Sequence, residues 1–134
     1  MAYVTFDVDK LALNFNYLNN LFAEHNIKWS VVTKVLSGNK MLLTELLKLD
    51  IHQVCDSRVT NLKIIKSLKP EIETIYIKPP AKRAIPGVVR YADISLNTEL
   101  ATIKMLSAEA QKQNKTHKII IMLELGELRE GVRV

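Results

Sequence analysis

Apolar residues follow two different spacings along this chain, and the two spacings alternate. Five short runs are nearly continuous in apolar and β-branched residues, which is typical of strands buried in a parallel sheet. Between them, apolar residues recur at helical spacing, most clearly at Leu11, Phe15, Leu18 and Phe22 behind a capping Asp9. The predicted strands cover 29–35, 51–58, 73–78, 92–97 and 118–125.

The helical patterns lie between these predicted strands. One begins at Ser37-Gly38-Asn39 and carries leucines as far as Leu49, and a second covers 59–68 and ends before Pro70. The segment 81–91 leaves room only for a short helix or a loop, and 99–114 is a longer helix. Strands that alternate with helices predict an α/β protein with a parallel sheet.

Two architectures fit this alternation: an open doubly wound sheet, or part of a (β/α)₈ barrel of the TIM type. A complete barrel takes about 250 residues, whereas this chain has 134 residues and five predicted strands. It stops at GVRV, directly after the loop of the fifth strand. We therefore expect the chain to be a piece of a longer protein, with no second domain within residues 1–134, and both architectures stay open at this point.

Composition narrows the class of protein. The chain is 48% hydrophobic and 25% charged, which is typical of a globular protein. It has no apolar run long enough for a transmembrane helix, no signal peptide, and a single cysteine, Cys55, so a cytoplasmic location is expected. The net charge of +5 comes from scattered lysines without interleaved aromatic residues. We therefore expect neither a nucleic-acid partner nor a membrane partner.

Polar residues follow every predicted strand at the same edge of the sheet. In parallel α/β proteins this carboxyl edge is where sites form. Glutamates near the fifth strand lack a histidine or a second acidic cluster, so no metal site is predicted. The residues concerned are Lys34, Asp56, Ser57, Arg58, Lys78, Ser95, Asn97, Glu124, Glu127 and Arg129.

Lys34 is the most informative of them because it lies inside an apolar run. A buried ammonium group is costly without a partner, so such a lysine either pairs with a carboxylate or loses its proton. An ion pair with Asp56 or Glu124 is one interpretation. A reactive amine suited to Schiff-base chemistry is the other.

Five segments together resemble the alanine racemase-like, pyridoxal 5′-phosphate (PLP)-dependent enzymes of fold type III, most closely the ornithine racemase-type branch. The resemblance extends from about Tyr3 to Val132. DSR at 56–58 differs from the GEN-type motif of a sister group, the PLP homeostasis proteins. The segments are VVTKVLSGN (31–39), VCDSRVTNL (54–62), YIKPP (76–80), YADISLNTE (91–99) and LELGELREGV (123–132).

The resemblance implies an amino-acid racemase in which residues 1–134 form the N-terminal, truncated part of a PLP-binding (β/α)₈ barrel. Lys34 would form the Schiff base with PLP and exchange the substrate's Cα proton, and Arg129 would be a second catalytic residue near the cofactor or the substrate carboxylate. Asp56, Arg58 and Asn97 would complete the cofactor-binding set.

The resemblance also implies that parts of the site lie elsewhere. The second catalytic base and the phosphate-binding residues are expected beyond Val134. The substrate would be a small molecule, an amino acid such as ornithine or another basic amino acid, and the racemases of this family are commonly homodimers. Two alternatives stay open: a PLP-binding homeostasis protein that does not racemise, and an inactive truncated fragment.

Overall fold

Five parallel strands lie side by side in the order in which they occur along the chain. A computed structural model describes residues 3–128 and 130–133. The strands are β1 (Val31–Val32), β2 (Gln53–Asp56), β3 (Glu73–Tyr76), β4 (Ile94–Asn97) and β5 (Lys118–Ile121). The helices are α1 (Val8–Glu24), α2 (Lys40–Leu46), α3 (Val59–Leu68), α4 (Ile85–Tyr91) and α5 (Leu100–Lys112).

The strand order decides between the two predicted architectures. A doubly wound sheet reverses its strand order at a switch point, with helices on both faces. Here the order is sequential, and buried residues from all five helices pack in one cluster on one face of the sheet. Both features are those of a (β/α) barrel segment, so the α/β prediction is confirmed in its barrel form.

The core lies between the sheet and this helical layer. Each helix contributes a buried side chain because its apolar stripe faces the strands. Val54 and Tyr76 project from β2 and β3 into the same core. The buried helical residues include Phe15, Leu43, Leu46, Leu62, Ile65, Val88, Val89 and Leu106.

The opposite face of the sheet carries a smaller cluster of Cys55, Ile75 and Ile94. The sequence predicts Cys55 to be a small core residue, and its buried position confirms this. No helix covers this face among the described residues. Its central residues are only 6–9% exposed, but at the edge strands Val32 is 46% and Ile120 43% exposed. The sheet therefore has one face covered by helices and one open face, which no helix covers and which is exposed at its edges.

The open face explains why the prediction for the first strand is wrong. The apolar run at 29–35 predicts a strand buried on both sides, but β1 has only two residues. Thr33 adopts helical backbone angles (φ −94°, ψ −4°), so the chain leaves the sheet there and enters a 3₁₀ turn at Lys34–Leu36. Val35, in that turn, is 82% exposed.

Helix boundaries differ from the predictions in smaller ways. Asp7, not Asp9, caps α1, because its Oδ1 accepts a bond from the backbone N–H of Lys10 at 3.0 Å. Asn39 caps α2 through the amides of Met41 and Leu42. In 81–91 the short-helix alternative is correct: a 3₁₀ turn (Lys82–Ala84) runs into α4. No helix in the described part of the chain is long and apolar enough to cross a membrane.

Candidate functional site at the carboxyl ends of the strands

The structure places four of the five predicted site residues at the carboxyl edge of the sheet. Lys34 lies two residues after the end of β1, Asp56 is the last residue of β2, Arg58 lies two residues after it, and Asn97 ends β4. The fifth, Arg129, lies outside the described residues. Parallel strands bring these ends to one edge, as the sequence predicts.

Lys34 is the first residue of the 3₁₀ turn after β1. The N–H of Thr33 donates to Cys55 O at 2.9 Å, which is the last bond from this segment to β2, and the N–H of Ser37 donates to Lys34 O at 3.1 Å. The backbone of Lys34 is therefore held on both sides. Its side chain is exposed, so the expectation of a buried lysine is wrong, because the face beside β1 is open.

The ion-pair interpretation of Lys34 finds no support in the structure. Across residues 3–128 and 130–133, its ammonium group forms no ion pair or hydrogen bond with another described side chain. Glu124 Oε1 accepts bonds from the amides of Gly126 and Leu128. The amine of Lys34 is therefore accessible at the carboxyl edge.

Asp56 is fully buried and faces the helices. Its Oδ2 accepts a bond from Thr33 Oγ1 at 2.9 Å, and its Oδ1 accepts one from the N–H of Arg58 at 2.9 Å. Asn61 Nδ2 lies 3.1 Å from each carboxylate oxygen. Both oxygens thus have donors from the protein, and a direct contact between Asp56 and a cofactor stays a prediction.

Arg58 occupies the N-cap position of α3, where its backbone is extended. The bond from its N–H to Asp56 closes the turn between β2 and α3. Its guanidinium is exposed at the same edge as Lys34. Of the predicted cofactor-binding residues other than Lys34, Arg58 is therefore the one with a charged group available to a ligand.

Asn97 belongs to a buried polar network. Its Nδ2 donates to Ser95 O at 2.8 Å and to Ser95 Oγ at 3.0 Å. Ser95 Oγ lies 2.8 Å from His117 Nε2, and His117 Nδ1 lies 3.1 Å from Ala92 O. Because a carbonyl can only accept, His117 carries its proton on Nδ1 and accepts from Ser95 at Nε2.

This network sets the electrostatics of His117. Burial lowers the pKa of His117, and the bond to Ala92 O offsets this only in part. Asn97 Oδ1 is a buried acceptor without a donor among the described residues. From its place near an element end, the sequence predicts His117 to be a surface or capping residue. Its ring is half-buried and contacts Ser95 of β4 and Ala92, the C-cap residue of α4.

Sequence reasoning missed Thr33 and Asn61. Each is buried and each donates to Asp56. Asn61 also contacts the loop after Lys34, since a Cβ on Gly38 would lie 2.7 Å from Asn61 Oδ1. The period-two spacing could have indicated this arrangement, because Asp56 shares a strand face with the apolar Val54.

A second polar cluster lies at the opposite, amino end of the sheet. Glu73 on β3 accepts from Lys118 Nζ at 2.9 Å and also from Gln53 Nε2, which links β2, β3 and β5. The bonds from Lys118 and Gln53 lower the pKa of Glu73. No group of side chains suited to a metal ion occurs among the described residues.

Comparison with known proteins gives one similar curated sequence. The chain is 38% identical over 128 residues to ornithine racemase of Acetoanaerobium sticklandii, which covers 96% of this chain and 36% of that protein. No protein-family model matches the chain. The chain therefore spans about a third of the length of this curated relative.

Solved structures show the same fold. Alanine racemase of Clostridium difficile 630 superposes with a TM-score of 0.74 at 16% identity, over 91% of this chain and 33% of that one. PipY of Synechococcus elongatus, solved without PLP, superposes with a TM-score of 0.65 at 10% identity, over 86% of this chain and 56% of that one. The five strands thus match part of the alanine racemase barrel.

Proposed function

Because the chain is related in sequence and in fold to part of the alanine racemase-like, fold type III family, we propose that it is a PLP-binding portion of an amino-acid racemase. The observation that carries the proposal is the position of Lys34. Its accessible amine extends from the turn after β1, at the carboxyl edge of a barrel sheet and inside the sequence matched to ornithine racemase. Ornithine is the substrate we propose first.

The predicted site residues at the carboxyl edge differ in how well their side chains suit the binding of PLP. A carbonyl cofactor needs an accessible amine, which Lys34 offers, and an anionic cofactor is favoured by a nearby cation, which Arg58 offers. Asn97 Oδ1 does not suit a phosphate, because both groups are acceptors. Asp56 already has donors at both oxygens. Lys34 and Arg58 are thus the residues of this edge that fit the cofactor best.

In this proposal the cofactor supplies an electron sink that stabilises negative charge at the substrate Cα. Lys34 would hold the cofactor through its amine and would take or give the Cα proton on one side of the substrate. Arg129 would hold the substrate carboxylate, a task for which a guanidinium suits because it binds carboxylates with two parallel bonds. Inversion needs a second proton donor on the opposite side, which we expect beyond Val134.

The alternative is PLP binding without racemisation, which would start from the same accessible amine of Lys34. The two candidates share Lys34 and differ in whether the Cα proton exchanges. A cytoplasmic location and a homodimeric assembly remain predictions for both.

The experiment incubates the chain with PLP and either L- or D-ornithine in deuterated water. For this chain, Lys34 predicts deuterium at Cα, abolished by Lys34→Arg. Formation of the other enantiomer is expected only from a longer protein that includes the second proton donor beyond Val134. Lys40→Arg is the matched control, because Lys40 is also exposed and lies at the start of α2. PLP bound at Lys34 without Cα exchange would favour the second candidate. Absence of both would refute the proposal for this chain.

A further inference from the structure

We infer that Asp56 is a positioning residue for Lys34, through Thr33 and Asn61. The inference rests on the proposed function, since the placement of Lys34 matters chemically only if its amine holds the cofactor. Lys34 extends from a 3₁₀ turn. We infer that the buried carboxylate of Asp56, on the helical side of the sheet, fixes the position of this turn.

The first link runs through the residue directly before Lys34. Thr33 is 1% exposed, and its Oγ1 lies 2.9 Å from Asp56 Oδ2. The N–H of Leu36 donates to Thr33 O at 2.9 Å, which forms the 3₁₀ turn that contains Lys34. The carboxylate therefore fixes the side chain of the residue at which the chain leaves the sheet.

The second link approaches the same turn from its other end. Asn61 donates to both oxygens of Asp56, and its Oδ1 lies beside Gly38, where an added Cβ would come within 2.7 Å of it. Ser37 and Gly38 both have positive φ (49° and 74°), so this bend has a defined and restricted shape. Thr33, directly before Lys34, and Asn61, packed beside Gly38 after it, thus both donate to one carboxylate.

Burying the carboxylate of Asp56 costs free energy, which argues that it serves to position the Lys34 turn. Asp56 is 0% exposed, and no lysine or arginine in the described part of the chain forms an ion pair with it. A buried carboxylate held only by neutral donors is an expensive way to fill space, and an apolar residue would pack at lower cost. What the carboxylate adds is a fixed relation between β1, the Lys34 turn and α3. A displacement of about 1 Å at a reacting group can lower a rate about 100-fold.

The test compares four variants of the whole chain. Thr33→Val and Asp56→Asn each weaken the first link, and Thr33→Ser keeps the hydroxyl as a rescue. Asp93→Asn is the matched control, because Asp93 also accepts bonds from a lysine and a threonine but lies at the amino end of β4. Circular dichroism and urea unfolding report whether each variant folds.

Two readouts separate positioning from a general loss of stability. The first is the ratio of Lys34 to Lys40 modification after treatment with PLP and borohydride, measured by peptide mapping. The second, made without PLP, is hydrogen exchange at the amide of Ser37, which donates to Lys34 O. We expect Thr33→Val and Asp56→Asn to lower the ratio and to speed the exchange, each about tenfold. Thr33→Ser and Asp93→Asn should leave both near wild type.

The outcomes distinguish failure of the inference from failure of the proposed function. If wild type is modified at Lys34 and Thr33→Val matches it in ratio and in Ser37 exchange, the positioning role is overturned while the proposed function stands. If wild type is not modified at Lys34, the proposed function fails, and Ser37 exchange alone decides whether Asp56 fixes the turn. If Asp56→Asn does not fold, the same two readouts on Thr33→Val decide whether the positioning role holds.

Discussion

Gly38→Ala should destabilise the chain through one identifiable contact. Gly38 has φ 74°, where an alanine costs about 1 kcal/mol in backbone strain. The added Cβ would lie 2.7 Å from Asn61 Oδ1 and 3.3 Å from Ile64 Cδ1, so Asn61 must shift. That shift weakens its bonds to Asp56, each 3.1 Å long, at a further cost of about 1–2 kcal/mol. The expected total is about 2–3 kcal/mol.

A double-mutant cycle measured by urea unfolding isolates the contact. In an Asn61→Ala background, the oxygen that the new Cβ would meet is absent, so Gly38→Ala should cost only the backbone strain of about 1 kcal/mol. The coupling free energy between the two substitutions should therefore be about 1–2 kcal/mol. Additive effects, within about 0.5 kcal/mol, would show that the Gly38 bend does not depend on Asn61.

Three further predictions concern titratable groups. Burial alone would raise the pKa of Asp93, but bonds from Lys66 and Thr74 outweigh it and lower this pKa. Asp93→Asn should therefore lower the free energy of unfolding by about 1–2 kcal/mol at pH 7, a value reduced by the solvent exposure of the carboxylate. The difference in stability from wild type, measured by urea unfolding, should disappear as the pH falls below about 4. A difference that does not change with pH would contradict the role of the ionised carboxylate. The lowered pKa of His117 means that the folded chain favours the neutral imidazole. In urea unfolding, wild type should therefore lose more stability than His117→Gln as the pH falls below about 6.5. Equal losses of stability would contradict the burial of a neutral imidazole. Burial raises the pKa of the Cys55 thiol, so alkylation by iodoacetamide at pH 8 should be slow in the folded chain and fast in urea. Equal alkylation rates would show that the fold does not shield the thiol.

The alternation of strands and helices was predictable because the two hydrophobic periods differ clearly. Periodicity says nothing about which strands are neighbours, so the sequential strand order was predictable only through the resemblance to a barrel family. The predicted burial of the first strand failed for a related reason. An apolar run shows which residues could be covered, but not that the covering elements are present on both faces, and Val35 is exposed.

The sequence predicted that the candidate site lies at the carboxyl edge of the sheet, but not which face of the sheet each side chain lies on. The rule that parallel strands end together correctly placed Lys34, Asp56 and Asn97 at the carboxyl edge. It did not say that Asp56 and Asn97 face the helices rather than the open face. The bonds of Thr33 and Asn61 to Asp56 join segments 23 and five residues apart, and only the fold brings the first pair together.

The most direct test of the central claim is the site of PLP attachment. The chain is incubated with PLP, reduced with borohydride and mapped by mass spectrometry, alongside Lys34→Arg. The proposed function predicts modification concentrated at Lys34, well above that at the exposed Lys40 and Lys48, and its loss in the variant. Equal modification of all three lysines, or none at Lys34, would contradict it.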